Sequence, residues 1–215
     1  MKHPMRIYTR SAARLCVAGL LSVCATASLA AGGPLGIDHR LNYDNSGIWK
    51  RSNQLGLLDF MALGMVGGAL WEGGETRLGK TLWQSVDASV LASGSAVVLK
   101  QAFSRERPNT TDDPNKFFSG HSNQSFPSGE VAAISAMVTP FVMEYGRDNK
   151  AAYLLEALPV YDAIARMKVR GHWQSDVLAG FSLGSASGYL AHSLDTPFIL
   201  NVMPKGVMVG YHARW

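Results

Sequence analysis

Apolar residues recur at helical spacing in five stretches, roughly 55–71, 82–103, 129–145, 151–169 and 175–194, each rich in alanine, leucine, methionine and other small side chains. Polar breaks separate them. Gly73-Gly74 and the charges of 72–80 mark a turn between the first two, and a longer loop holding Pro108, Pro114 and Gly120 covers 104–127. Pro140 falls inside the third stretch and predicts a kink or a division there. Residues 31–53, rich in glycine, asparagine and charge, read as an irregular lead-in. Beyond 195 the pattern changes. Pro197, Pro204 and Gly206 break any helix, and Val207, Val209 and Tyr211 alternate with Met208, Gly210 and His212, as in one short strand or the second arm of a hairpin turning at Lys205-Gly206. The pattern therefore predicts an all-α helical bundle over 54–195 with a short non-helical or hairpin tail over 196–215.

The apolar stretches invite a membrane reading that their uncharged lengths resist. A span takes about 20 mostly apolar residues. The uncharged runs 60–71, 88–99 and 131–143 hold 12, 12 and 13 residues, and 177–194 reaches 18 only with His192, serines and glycines inside it. Short helices of this kind favour a soluble or peripheral bundle over a membrane-spanning one, with membrane association left open.

The first 30 residues have the form of an export signal. Lys2, Arg6, Arg10 and Arg14 precede the apolar run 15–24, and Ser28 and Ala30 supply small residues for cleavage, so the expected location is the periplasm or cell envelope. All four basic residues of that segment count toward the formal charge of +4, which leaves the remaining 185 residues neutral and removes the charge argument for a nucleic-acid partner. Both cysteines, Cys16 and Cys24, also fall in it, so the rest of the chain has neither disulfide nor thiol nucleophile.

Three clusters carry candidate chemistry. In Lys100-Gln101-Ala102-Phe103-Ser104-Arg105-Glu106-Arg107-Pro108, Lys100 and Arg107 stand seven apart, a spacing that would put both on one helix face as a clamp for an anion. Ser125-Phe126-Pro127-Ser128-Gly129-Glu130 opens a helical run; its serine and glycine suit both an N-cap and an anion seat on free backbone N–H groups. In the third cluster, 166–176, a helix beginning near His172 would place His172 and Asp176 four apart on one face, where the carboxylate selects the imidazole tautomer. No compact His, Asp and Glu group has metal-ligand spacing, and no cofactor is expected.

Taken in order, Lys100-x6-Arg107-Pro108, Pro127-Ser128-Gly129 and Arg166-x5-His172-x3-Asp176 resemble the signature of the type 2 phosphatidic acid phosphatase and vanadium haloperoxidase superfamily. The resemblance implies a helical domain with His172 as the nucleophile toward phosphorus and Asp176 as its orienting partner. It further implies that Lys100, Arg107, Arg166, Ser128 and Gly129 bind phosphate. The implied reaction is hydrolysis of a phosphomonoester or diphosphate, lipid-linked or a small ester, through a phosphohistidine. Two departures stand out. Ala165 takes the place of a serine, and Glu130 takes the place of the histidine that protonates the leaving group. Glu130 is accordingly the expected general acid and then base. His121 reaching in from the loop is a second solution, and unassisted cleavage of good leaving groups such as a pyrophosphate is a third. Vanadate-dependent halide oxidation and non-catalytic phosphate binding are the alternative functions, and the oligomeric state is left open.

Overall fold

The computed structural model describes residues 32–120 and 124–194, together with the backbone of two short strands at 200–203 and 206–209. Short 3-10 turns at Pro34–Gly36 and Gly47–Trp49 punctuate the lead-in. Five helices follow: α1 Arg51–Glu72, α2 Arg77–Phe103, α3 Gly129–Tyr145, α4 Ala157–Lys168 and α5 Gln174–Ser193, with a 3-10 segment Lys150–Glu156 before α4. The strands β1 Leu200–Met203 and β2 Gly206–Val209 pair antiparallel, with Met203 opposite Gly206. The expected all-helical domain is thus observed, with a hairpin in the tail.

α3 is the central helix. Its small residues let neighbouring backbones approach closely, so the core beside it is built of Ala88 and Ala92 from α2, Ala132 and Ala136 from α3, and Ala191 from α5. The α3–α5 contact is tightest along Gly180, Gly184 and Gly188. A Cβ at these positions would lie 2.4 Å from Ser128 O, 2.2 Å from Ala132 O and 2.5 Å from Thr139 Cβ, so the seam holds only with glycine. Gly188 also faces Pro140, whose ring α3 carries without breaking between Gly129 and Tyr145. The predicted division of this helix is absent. Larger side chains fill the other side of α3, where Met61 of α1 meets Ile134, Met137 and Val138.

α1 and α2 are longer than their uncharged runs. The 12-residue runs lie inside helices of 22 and 27 residues, both long and apolar enough to cross a membrane by length and composition. The length argument for a soluble or peripheral domain therefore finds no support here. α1 in particular leaves Phe60, Leu63 and Trp71 76%, 75% and 87% exposed.

Candidate active site

Helix α2 stops at Phe103 because Ser104 turns left-handed (φ 39°, ψ 48°) and returns its N–H to Lys100 O at 2.9 Å. Arg107 consequently lies beyond the helix, and the shared helix face expected for Lys100 and Arg107 does not exist. The two cations meet all the same. Lys100 Nζ donates to the Gln124 carbonyl at 2.7 Å, and the Arg107 guanidinium reaches the same oxygen at 3.3 Å.

Ser128 caps α3 by position but not by its side chain. Its N–H donates to Asp176 O at 2.9 Å, whereas its hydroxyl is buried with no hydrogen-bond partner among the described residues. A buried hydroxyl without a partner is costly unless something else supplies one. Gly129 follows at the start of α3, and a Cβ there would stand 3.5 Å from Lys100 Cε. The helix N-terminus, the spare hydroxyl and the ammonium are thus neighbours, an arrangement suited to an anion.

His172 precedes α5, whose N-cap is Trp173, so His172 and Asp176 do not share a helix face either. They are joined through Ser125. The His172 Nδ1 lies 2.7 Å from the Ser125 carbonyl, an acceptor only, so Nδ1 carries the proton and Nε2 keeps its lone pair. Asp176 Oδ2 stands 3.7 Å from Nδ1 and instead accepts the Ser125 hydroxyl at 2.5 Å and the Trp173 N–H at 2.8 Å. Burial, with Arg166 and Lys100 nearby, pushes the His172 pKa down to about 3 against the pull of Asp176, and the imidazole is neutral. Burial works to raise the Asp176 pKa, but His172, Arg105 and Ser125 outweigh it and hold the group below the usual carboxylate range.

The third cation, Arg166, reaches the cluster from the last turn of α4. It is buried, donates to Gln54 Oε1 at 3.2 Å and holds Nε 3.9 Å from Glu130 Oε1. Gly171 makes room for it, since a Cβ there would lie 2.6 Å from the guanidinium. Glu130, in the first turn of α3, is gripped by Arg51 of α1. One Arg51 nitrogen donates to Glu130 Oε1 at 2.7 Å and the other to Oε2. Burial would raise the Glu130 pKa, but Arg51, Arg166 and His172 prevail and lower it. Such a pairing does not favour the general-acid role expected from the sequence. His121, the other expected proton donor, lies outside the described residues.

Five partners escaped the sequence reading. Arg51 and Gln54 sit at the polar start of α1, Arg51 in residues assigned to the lead-in, and Gln54 Oε1 accepts from both Arg51 and Arg166. Ser125 was noted only as part of its motif. Arg105, fully buried, binds Asp176 Oδ1 at 2.5 Å, Ser175 Oγ at 2.8 Å and Asp38 Oδ2 at 2.7 Å. Its guanidinium lies 4.6 Å from the Phe117 ring centroid and 5.5 Å from that of Trp173. Trp173 is itself buried and donates Nε1–H to Glu106 O at 2.9 Å. Three cations close together within one charge cluster gave the only sequence signal for Arg105; nothing in the spacing pointed to Asp38.

The structure therefore brings Lys100, Arg107, Ser128, Gly129, Glu130, Arg166, His172 and Asp176 together at one end of the bundle, where Lys100, Arg107 and Arg166 each feel the charge of Glu130. A helical domain with such a cationic end defines a class, and the family model described as PAP2 superfamily matches residues 82–198. The chain belongs to the PAP2 superfamily. It is 35% identical over 95 residues to a lipid A 1-phosphatase of Rhizobium johnstonii, covering 42% of this chain and 38% of that protein. A lipid A 1-phosphatase of Porphyromonas gingivalis is 29% identical over 147 residues, 66% of this chain and 30% of that one. The chain thus spans between 30% and 38% of the length of these relatives. Among solved structures, the first transmembrane PAP2 type phosphatidylglycerolphosphate phosphatase from Bacillus subtilis aligns over 83% of this chain and 93% of its own, at 17% identity and a TM-score of 0.40.

Proposed function

We propose that this protein is a membrane-associated phosphoric ester hydrolase that removes phosphate from a lipid-linked phosphomonoester or diphosphate through a phosphohistidine at His172. The observation that carries the reading is the His172 tautomer. With its Nδ1 proton held by the Ser125 carbonyl, the neutral ring presents Nε2 as a nucleophile among Lys100, Arg107 and Arg166. Those cations, with Ser128 and the N–H of Gly129, would hold the nonbridging oxygens while charge builds in the transition state. Asp176 acts on the ring through Ser125. The relatives named lipid A 1-phosphatase and the exposed apolar face of α1 support a lipid substrate met at a membrane surface. An exported domain of residues 54–195, preceded by a signal over 1–30, is the organisation that fits this role.

The test is phosphate release by the detergent-solubilised full chain from a panel of lipid and small phosphate esters, with wild type and His172→Ala compared. Loss of all turnover in the variant is expected. Near-normal activity without the imidazole would remove the nucleophile from the mechanism. Halide oxidation on addition of vanadate and peroxide, without phosphate release, would favour the haloperoxidase alternative.

A further inference from the structure

The residue after Ser128-Gly129 stands where a proton donor for the leaving group belongs, and in this chain Glu130 occupies that place with both carboxylate oxygens engaged. Resting on the phosphatase reading above, we propose that the site cleaves phosphoanhydrides and other bonds to weakly basic leaving groups in preference to alkyl phosphomonoesters, because the Arg51-bound Glu130 has no proton to give.

The pairing is bidentate and supported from behind. Arg51 donates to both oxygens of Glu130, and its guanidinium is itself held by Gln54 Oε1 at 3.1 Å. That same Gln54 oxygen accepts from Arg166 at 3.2 Å, so one amide fixes both guanidinium groups beside one carboxylate. Protonating Glu130 would give up two charge-assisted hydrogen bonds and leave Arg51 and Arg166 facing each other unscreened. The other groups close enough to act on Glu130 are Lys100 and Arg107 from the α2 end, Asp162 on α4 and His172 before α5. Lys100 and Arg107 are cations, which favour the carboxylate further. Asp162 is the only other acid in this set, and it is fully buried, with neither oxygen hydrogen-bonded to a described residue.

The chemical consequence falls on the first step. As His172 Nε2 forms a bond to phosphorus, the bond from phosphorus to the leaving oxygen breaks and its electron pair stays on that oxygen. Without a proton from Glu130 the oxygen departs as an anion, and its full basicity enters the barrier. An alkoxide is about as basic as hydroxide. A departing alkyl phosphate has its second pKa at about 6. Arg51, partly exposed beside the cluster, adds a cation for the second phosphoryl group of such a substrate. In the second step water attacks phosphorus, the P–N bond breaks and its pair returns to Nε2. The proton lost by water leaves with the released phosphate or passes to solvent, since Arg51 holds Glu130 as the carboxylate.

The experiment compares kcat/KM of the full-length protein in detergent for farnesyl diphosphate, farnesyl monophosphate and a series of aryl phosphates of graded leaving-group pKa, in wild type, Glu130→His and Glu130→Gln. Wild type should cleave the diphosphate about 100-fold or more faster than the monophosphate, the usual size of a missing general acid. Its aryl series should fall steeply with leaving-group pKa. Glu130→His should flatten that slope and narrow the diphosphate preference at least about tenfold. Equal rates on the two farnesyl substrates, or a shallow wild-type slope, would overturn the inference, as would a Glu130→Gln variant that loses the monophosphate while keeping the diphosphate. Those results still leave a phosphatase. Folded wild type that releases phosphate from none of the substrates would instead overturn the proposed function itself.

Discussion

Asp162 pays for its place under the cationic cluster with an unusual ionisation. Burial, reinforced by the negative charge of Glu130, raises its pKa from 3.8 to about 7, against the pull of Arg166 and Arg51. The native state therefore binds this proton more tightly than the unfolded chain, and the stabilisation is complete below about 3.8 and lost as pH rises through about 7. Asp162→Asn removes the charge and should melt higher than wild type at pH 8, with the difference vanishing toward pH 4; a variant that melts lower at pH 8 would contradict this. The shift corresponds to a few kcal/mol at most. His172 behaves oppositely. Its depressed pKa keeps the ring neutral, so nitrogen-15 chemical shifts of the imidazole should show no protonation between pH 8 and 5, and a titration near 6.5 would contradict the buried geometry. These residues differ in how legible they were. His172, Lys100, Arg107, Ser128, Gly129 and Arg166 could be read because their spacing resembles a family signature. Arg51, Gln54 and Asp38 could not, since they reach the cluster from segments 67 or more residues away in sequence.

At the scale of helices, the placement of the cluster depends on the glycine seam and on one buried arginine. Gly180→Ala would drive a methyl against Ser128 O, where 2.4 Å is available, and push the start of α3 from α5. It should lower phosphate release far more than Gly94→Ala in α2, where a Cβ meets nothing within 4 Å; equal activity would show that the seam does not position the site. Arg105 binds Asp38 of the lead-in and Asp176 of α5, all fully buried. Arg105→Met leaves two carboxylates without their cation and should destabilise the fold by about 3–5 kcal/mol in denaturant titrations, whereas a change below about 1 kcal/mol would place little weight on the network. Helix α3 was legible to the residue because Gly129 and Gly146 bracket an unbroken apolar run. The starts of α1 and α2 were missed by four and five residues because both helices begin with polar turns, whereas α2 ends at Phe103, where the apolar stretch gives way to the polar loop.

Across the whole molecule, a cationic end and a largely apolar flank coexist. Phe60, Leu63, Leu70 and Trp71 of α1, with Val97 and Val98 of α2, leave more apolar surface open than a bundle in water ordinarily does. The protein should remain in the membrane pellet through a high-pH carbonate wash and be released by detergent; full release by carbonate would put the apolar flank against another protein surface. The class of the fold was legible from periodicity alone, but its relation to lipid was not, because charged and polar residues at helix ends shortened the uncharged runs from which a span is judged. The central claim is that phosphate passes through His172. Rapid acid-free quenching of full-length protein with phosphorus-32-labelled substrate tests it most directly. The account predicts a label that is stable in base, labile in acid and confined to the peptide containing His172. Turnover with no such label, or a label on any other residue, would contradict it.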